Sequence, residues 1–170
     1  MHRLLICAAV AASLTLAACG GSNSSSGTPA RAAMSDTVGI QKVDGVGRVL
    51  VDSSGLALYT PDQEGNGKIV CTNSCTSEWQ PVDVAHGKPT AAMGTGKIGV
   101  IKRPDGARQV TINGMPLYTF VQDSPSQITG DGFQDQFSGT SFTWHVVLAG
   151  GSKGTAAPSN TNNSGSNYGY

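Results

Sequence analysis

The 170 residues of this chain leave room for one ordinary domain with tails. Glycine supplies 23 residues, nearly twice the usual share, and charged residues at 13% are about half of theirs, a balance suited to a turn-rich β protein. Lys plus Arg and Asp plus Glu number 11 each, so the formal net charge is zero; with no basic cluster, nucleic acid is excluded as a partner on bulk electrostatics.

The N-terminus reads as an export signal. His2 and Arg3 make a short positive segment, and Leu4 to Leu16 is apolar except for Ser13 and Thr15, a run too short to span a bilayer as a mature helix. It ends at Leu16-Ala17-Ala18-Cys19, which resembles the lipobox of bacterial lipoproteins. The resemblance implies removal of residues 1–18 and attachment of lipid to Cys19, so that acyl chains hold the protein to a membrane on the outer side of the cytoplasm. After Cys19, residues 20–36 are mostly Gly, Ser, Asn, Ala and Thr with little to bury, and with Cys19 they are expected to be a lipidated, flexible tether over 19–36. A disordered tail is expected over 150–170, which leaves a folded domain over 37–149.

Within that domain no window sustains a helical apolar period, whereas strand and turn signals recur. Ile40 to Val43, the Asp44-Gly45 turn, Arg48 to Val51, a turn ending at Gly55, and Leu56 to Thr60 form one antiparallel meander. Cys71 and Cys75 follow. With Cys7 in the signal and Cys19 lipidated, they are the pair left in an exported chain, and a structural disulfide is expected. A redox-active pair is the alternative, but the spacing is three residues, not two, and no βαβ pattern surrounds it.

The same order recurs downstream. Val100 to Lys102, the turn Pro104 to Ala107, Arg108 to Ile112, Asn113-Gly114 as a two-residue type I′ turn, and Met115 to Val121 make the second meander. Each copy ends at a tryptophan-led strand, Trp79-Gln80-Pro81-Val82 and Trp144-His145-Val146-Val147. The predicted fold is all-β: repeat 1 over about 38–84 and repeat 2 over about 98–149, with apolar faces packed together as a compact sandwich or barrel-like domain.

Tyr118, Phe120 and Asp123, with the Asn113-Gly114 turn before them and Gly130-Asp131-Gly132 and Trp144 after, resemble a family of predicted bacterial lipoproteins with tandem Tyr-x-(Phe/Trp/Tyr)-x-x-Asp repeats, also described as a secreted repeat of unknown function. Repeat 1 keeps Tyr59, but has Pro61 where the aromatic belongs and Glu64 where the aspartate belongs, so a ligand-binding role for the motif would be in doubt there. The resemblance implies an envelope location and a repeat architecture, and it implies no reaction.

Chemistry-bearing residues are sparse. Asp62, Glu64, Asp123, Asp131 and Asp135 do not have the spacing of an EF-hand calcium loop, and acids after strands more often cap turns. His86 and His145 are the histidines after the signal; alternation points His145 away from Trp144, toward solvent. Gly94-Thr95-Gly96-Lys97 lacks the spacing of a phosphate loop, and no Gly-x-Ser-x-Gly elbow occurs. The expectation is a lipid-anchored envelope protein without catalytic residues, metal or cofactor, a binding or structural module of unknown specific activity whose partner would be an envelope protein or small ligand. The alternative is a metal-, haem- or redox-handling lipoprotein, and a hydrolase would need a histidine converging with an acid and a hydroxyl.

Overall fold

A computed structural model describes residues 37–84 and 86–155. The signal segment, Cys19, the tether and the chain beyond 155 lie outside the described residues, as do the expectations placed on them. The domain is all-β. Repeat 1 contributes β1 (Gly39–Val43), β2 (Gly47–Val51), β3 (Tyr59–Pro61) and β4 (Trp79–Pro81), with one short helix α1 (Cys75–Glu78) before β4. Repeat 2 contributes β5 (Ile98–Lys102), β6 (Arg108–Ile112), β7 (Met115–Pro116), β8 (Tyr118–Phe120), β9 (Gln134–Phe137) and β10 (Thr140–Val146).

Turn chemistry sets the hairpins where the sequence placed them. Asn113 and Gly114 both take positive φ, at 52° and 83°, as a type I′ turn requires. In repeat 1 the longer turn is held by Asp52, whose Oδ1 accepts the N–H groups of Ser54 and Leu56, with Gly55 at φ 85°. Met115 to Val121, expected as one strand, is divided at Leu117. Met115 and Pro116 pair with β6, while Tyr118 to Phe120 pair with β3 and β4. Leu117 is the crossing point: its N–H goes to Val110 and its carbonyl takes the N–H of Val82.

A five-stranded antiparallel sheet in the order β4-β8-β3-β10-β9 forms the centre, with the β1-β2 hairpin and the β5-β6-β7 meander beside it. Its middle is where Tyr59 and Tyr118 lie directly opposite each other across β3 and β8. Around that point the two repeats match residue for residue. Trp79, Gln80 and Pro81 pair with Phe120, Thr119 and Tyr118, and Trp144, His145 and Val146 pair with Pro61, Thr60 and Tyr59. The last strand of each repeat therefore adds to the other repeat's meander. The two copies are interlaced, and the compact packing expected of the two meanders is reached by sharing strands across the repeat boundary.

Alternation along β3 and β8 divides the core in two. Leu58 and Leu117 enter an aliphatic cluster with Val38, Leu50, Val84, Val110, Ile112 and Val147. Tyr59, Tyr118 and Phe120 enter an aromatic one with Trp79, Trp144, Phe142 and the two cysteines. Each fully buried side chain of this size contributes roughly 1.5–3 kcal/mol by leaving water. The chain also stays packed beyond the boundary expected at Ala149. Gly151 and Gly154 are buried, the carbonyls of Gly150 and Gly151 accept from Asn113 Nδ2, and Lys153 reaches Asp62. Glycine permits this return because a Cβ on Gly151 would lie 2.4 Å from the Asn113 amide.

Candidate functional site

The motif residues meet at the centre of the sheet. Because Tyr59 and Tyr118 oppose each other, each ring reaches past the strand boundary to the acid of the other repeat. The Tyr59 hydroxyl donates to Asp123 Oδ2, and the Tyr118 hydroxyl donates to Glu64 Oε2 at 2.8 Å. Glu64 is thus the counterpart of Asp123 and not a lost position. The extra methylene changes its reach but leaves its partner type unchanged.

Both acids also close the loop that follows them. Glu64 Oε1 accepts the backbone N–H groups of Val70 at 2.5 Å and Cys71 at 2.6 Å. Asp123 Oδ1 accepts the N–H of Thr129 at 2.9 Å and its hydroxyl at 2.6 Å, and the Tyr59 oxygen accepts from Gly130 N–H at 3.3 Å. The donors stand six and seven residues after the acid in both repeats, except that in repeat 2 the seventh, Gly130, gives its N–H to the Tyr59 oxygen instead of to the acid. The capping role read for Asp123 holds, with a second role across the repeat boundary. Burial is the main force on these groups. It raises the Tyr59 and Tyr118 phenols far above their ordinary value, helped by the neighbouring acids, and it raises the Glu64 carboxyl against the pull of its N–H and phenol donors.

Sequence reasoning missed Arg103 and Gln109. Arg103 is 2% exposed, and its guanidinium donates to Gln109 Oε1 at 2.6 Å, to the Cys71 carbonyl at 2.9 Å and toward the Tyr118 hydroxyl at 3.4 Å. Gln109 Nε2 donates to the Leu117 carbonyl. Along Arg108 to Ile112 the alternation of Gln109 and Thr111 with Val110 and Ile112 puts Gln109 on the polar face of the strand. That face is covered by repeat 1, which a pattern of period two does not report. The positive charge of Arg103 offsets part of the cost of burying the Glu64 carboxylate.

Cys71 and Cys75 are disulfide-bonded with Cα atoms 5.3 Å apart, and both are buried. The bond fixes the ring that gives Cys71 N–H to Glu64 and Cys71 C=O to Arg103. Beside it Trp79 and Trp144 stack at 3.9 Å and 8°, with Phe120 on the far side of Trp79 at 4.2 Å. Both indole N–H groups donate to Asp135, at 2.7 and 3.1 Å. Asp131 accepts from Val146 N–H. The acids considered for calcium are therefore spent on separate partners, and among the described residues no three His, Cys, Asp or Glu side chains are placed to share a metal.

His145 does face away from Trp144, but it is mostly covered and not turned out to solvent. Its Nε2 lies 3.2 Å from Asp62 Oδ2, and Lys153 Nζ lies 2.6 Å from Asp62 Oδ1. The hydrogen bond from Lys153, and less strongly the one shared with His145, hold the Asp62 carboxyl below its usual value. Thr60 stands opposite His145, so an acid, an imidazole and a hydroxyl are neighbours. The Thr60 side chain is fully buried, which leaves its hydroxyl no approach for a substrate. His86 is exposed. The Gly94-Thr95-Gly96-Lys97 segment is a turn held by Asn113 Oδ1 on Lys97 N–H. A surface depression of about 530 Å³ adjoins it, lined by Lys97, by residues of β5 and β6 and by the Asn113-Gly114 turn, and by none of the motif side chains.

Residues 99–147 match a family model described as a secreted repeat of unknown function. The resemblance carried by Tyr118, Phe120 and Asp123 is thereby shown for repeat 2. The secreted repeat spans β5 to β10, and the interlaced geometry shows that residues 38–84 reproduce its tyrosine, acid and terminal tryptophan strand. No curated protein and no solved structure matches the chain. A secreted repeat belongs to the envelope or the exterior, in keeping with a disulfide between Cys71 and Cys75. Among the described residues no helix is long and apolar enough to cross a membrane.

Proposed function

We propose that this is a lipid-anchored protein of the bacterial cell envelope whose β domain is a non-enzymatic binding or structural module. One observation carries the reading. The repeated Tyr and acid side chains satisfy each other across the repeats, and are 0–9% exposed. The family signature in this chain is used as a clasp for the fold, so surface outside the motif is left to meet an envelope protein or small ligand. The export signal and the lipobox-like Leu16-Ala17-Ala18-Cys19 supply the anchor.

Cys19→Ala tests the anchor by fractionation of the producing cell. The parent chain is expected with the membranes and the variant in the soluble envelope fraction; a variant that stays with the membranes would refute it. Native mass and elemental analysis of the exported chain test the absence of a cofactor. Bound haem or stoichiometric metal would turn the reading to the metal- or redox-handling alternative, which the buried state of Cys71 and Cys75 does not favour.

A further inference from the structure

The interlacing of the repeats has a consequence for what the protein can bind. Neither repeat is complete alone. Val82 donates to Leu117 and accepts from Val110, and Val84 donates to Arg108, so the end of repeat 1 is bonded into repeat 2. Val147 donates to Leu58 and accepts from Leu50, and Ala149 donates to Arg48, so the end of repeat 2 is bonded into repeat 1 in the same pattern. The Tyr59–Asp123 and Tyr118–Glu64 bonds and the Trp79–Trp144 stack also cross the boundary. The disulfide does not: Cys71 and Cys75 both lie in repeat 1.

The covalent link between the halves is the segment after Val84. His86, Gly87 and Lys88 in it are exposed, and Gly87 has φ 75°. From Thr90 onward the chain is tied to β1, with Val38 N–H on the Thr90 carbonyl and Ala92 N–H on the Val38 carbonyl. Among the described residues the hinge is thus His86 to Pro89, whose bonding includes the Gly87 carbonyl accepting from Arg108.

We propose that the surface each repeat presents to the other also recognises a second copy of this chain, by exchange of repeats. Repeat 1 of one chain pairs with repeat 2 of its partner, and the reciprocal pair forms alongside, giving a dimer of two complete domains. Every sheet pairing, clasp and ring stack of the monomer is kept, and only the path of the hinge changes. Exchange of an identical element between protomers is a low-cost route to dimers for this reason. A short flexible linker holds its two ends at an effective concentration on the order of millimolar, so the closed monomer dominates in dilute solution and the exchanged dimer gains as the chain is concentrated.

The test uses the whole chain in two mass-distinguishable forms. They are unfolded together with the disulfide kept oxidised, refolded at about micromolar and about millimolar concentration, and weighed by native mass spectrometry. A mixed dimer that grows with concentration and keeps the near-ultraviolet circular dichroism of the stacked tryptophans is expected. Monomer alone at both concentrations, or a mixed dimer without that signature, overturns the proposal. A second form with a protease site inserted between His86 and Lys88 needs no refolding. Once cut, its halves should remain a one-to-one complex and exchange partners with a mass-labelled cut chain; halves that part, each folded by itself, also overturn it.

Discussion

Replacing Tyr118 with Phe tests the clasp, because the ring and its edge contact with Trp144 at 5.2 Å are kept and only the hydroxyl is lost, with its bond to Glu64 and the long contact from Arg103. Glu64 then keeps two N–H donors and loses the third, in a site with no exposed surface from which water could replace it. A hydrogen bond to a charged group contributes about 1.5–3 kcal/mol, and leaving a buried acceptor short falls in the same range. For a domain of this size that is a fall in midpoint of roughly 5–15 °C. Tyr59→Phe should cost less, about 1–2 kcal/mol, because Asp123 keeps the Thr129 pair and sits at 9% exposure, where water has access. Urea titration followed by tryptophan fluorescence and by far-ultraviolet circular dichroism gives both numbers, provided the slope is unchanged. A loss below about 0.5 kcal/mol for Tyr118→Phe, or the opposite ranking, would refute the assignment of the motif as a buried clasp.

The loop against the tryptophan stack gives a second prediction. A Cβ at Gly130 would lie 2.7 Å from Trp79 Cη2 and 3.0 Å from Tyr59 Cε1, so Gly130→Ala should destabilise by about 1–3 kcal/mol and alter the near-ultraviolet signal; a neutral result would mean the stack is looser than described. Reduction of Cys71–Cys75 releases a five-residue ring and should cost about 2 kcal/mol, read as a shift of the denaturation midpoint with reductant. Because its Cys71 end binds both Glu64 and Arg103, a loss much below that would show that the ring is ordered without the bond. In alkali, Tyr59 and Tyr118 have folded pKa values above their unfolded value of 10.0, so the stability they hold is full below pH 10 and lost as pH rises past it. In a chain carrying Tyr168→Phe and Tyr170→Phe, phenolate absorbance should therefore appear only as the fold is lost; titration near pH 10 with circular dichroism intact would contradict their burial.

Much of this domain was legible in the residues because the signals are local. Asn113-Gly114 requires a turn with two positive φ angles whatever surrounds it, and Cys71 and Cys75 are close enough along the chain to bond within one loop. The all-β class, the duplication and the equivalence of the two tryptophan strands follow from alternation and spacing. The partners of the motif were not legible. Tyr59 and Asp123 are 64 residues apart, as Tyr118 and Glu64 are 54, and no pattern of period two says that the last strand of one repeat joins the other.

That exchange decided the remaining readings. It buried Gln109 on a face expected to be polar, and made Arg103 a central cation. It turned Glu64 from an apparent departure into the equal of Asp123. The sequence by itself determined which segments are strands and turns, since these depend on neighbours a few residues away. Only the tertiary structure decided what the signature does. A buried carboxylate must find its donors wherever the fold brings them, and here the fold brings them from the opposite repeat.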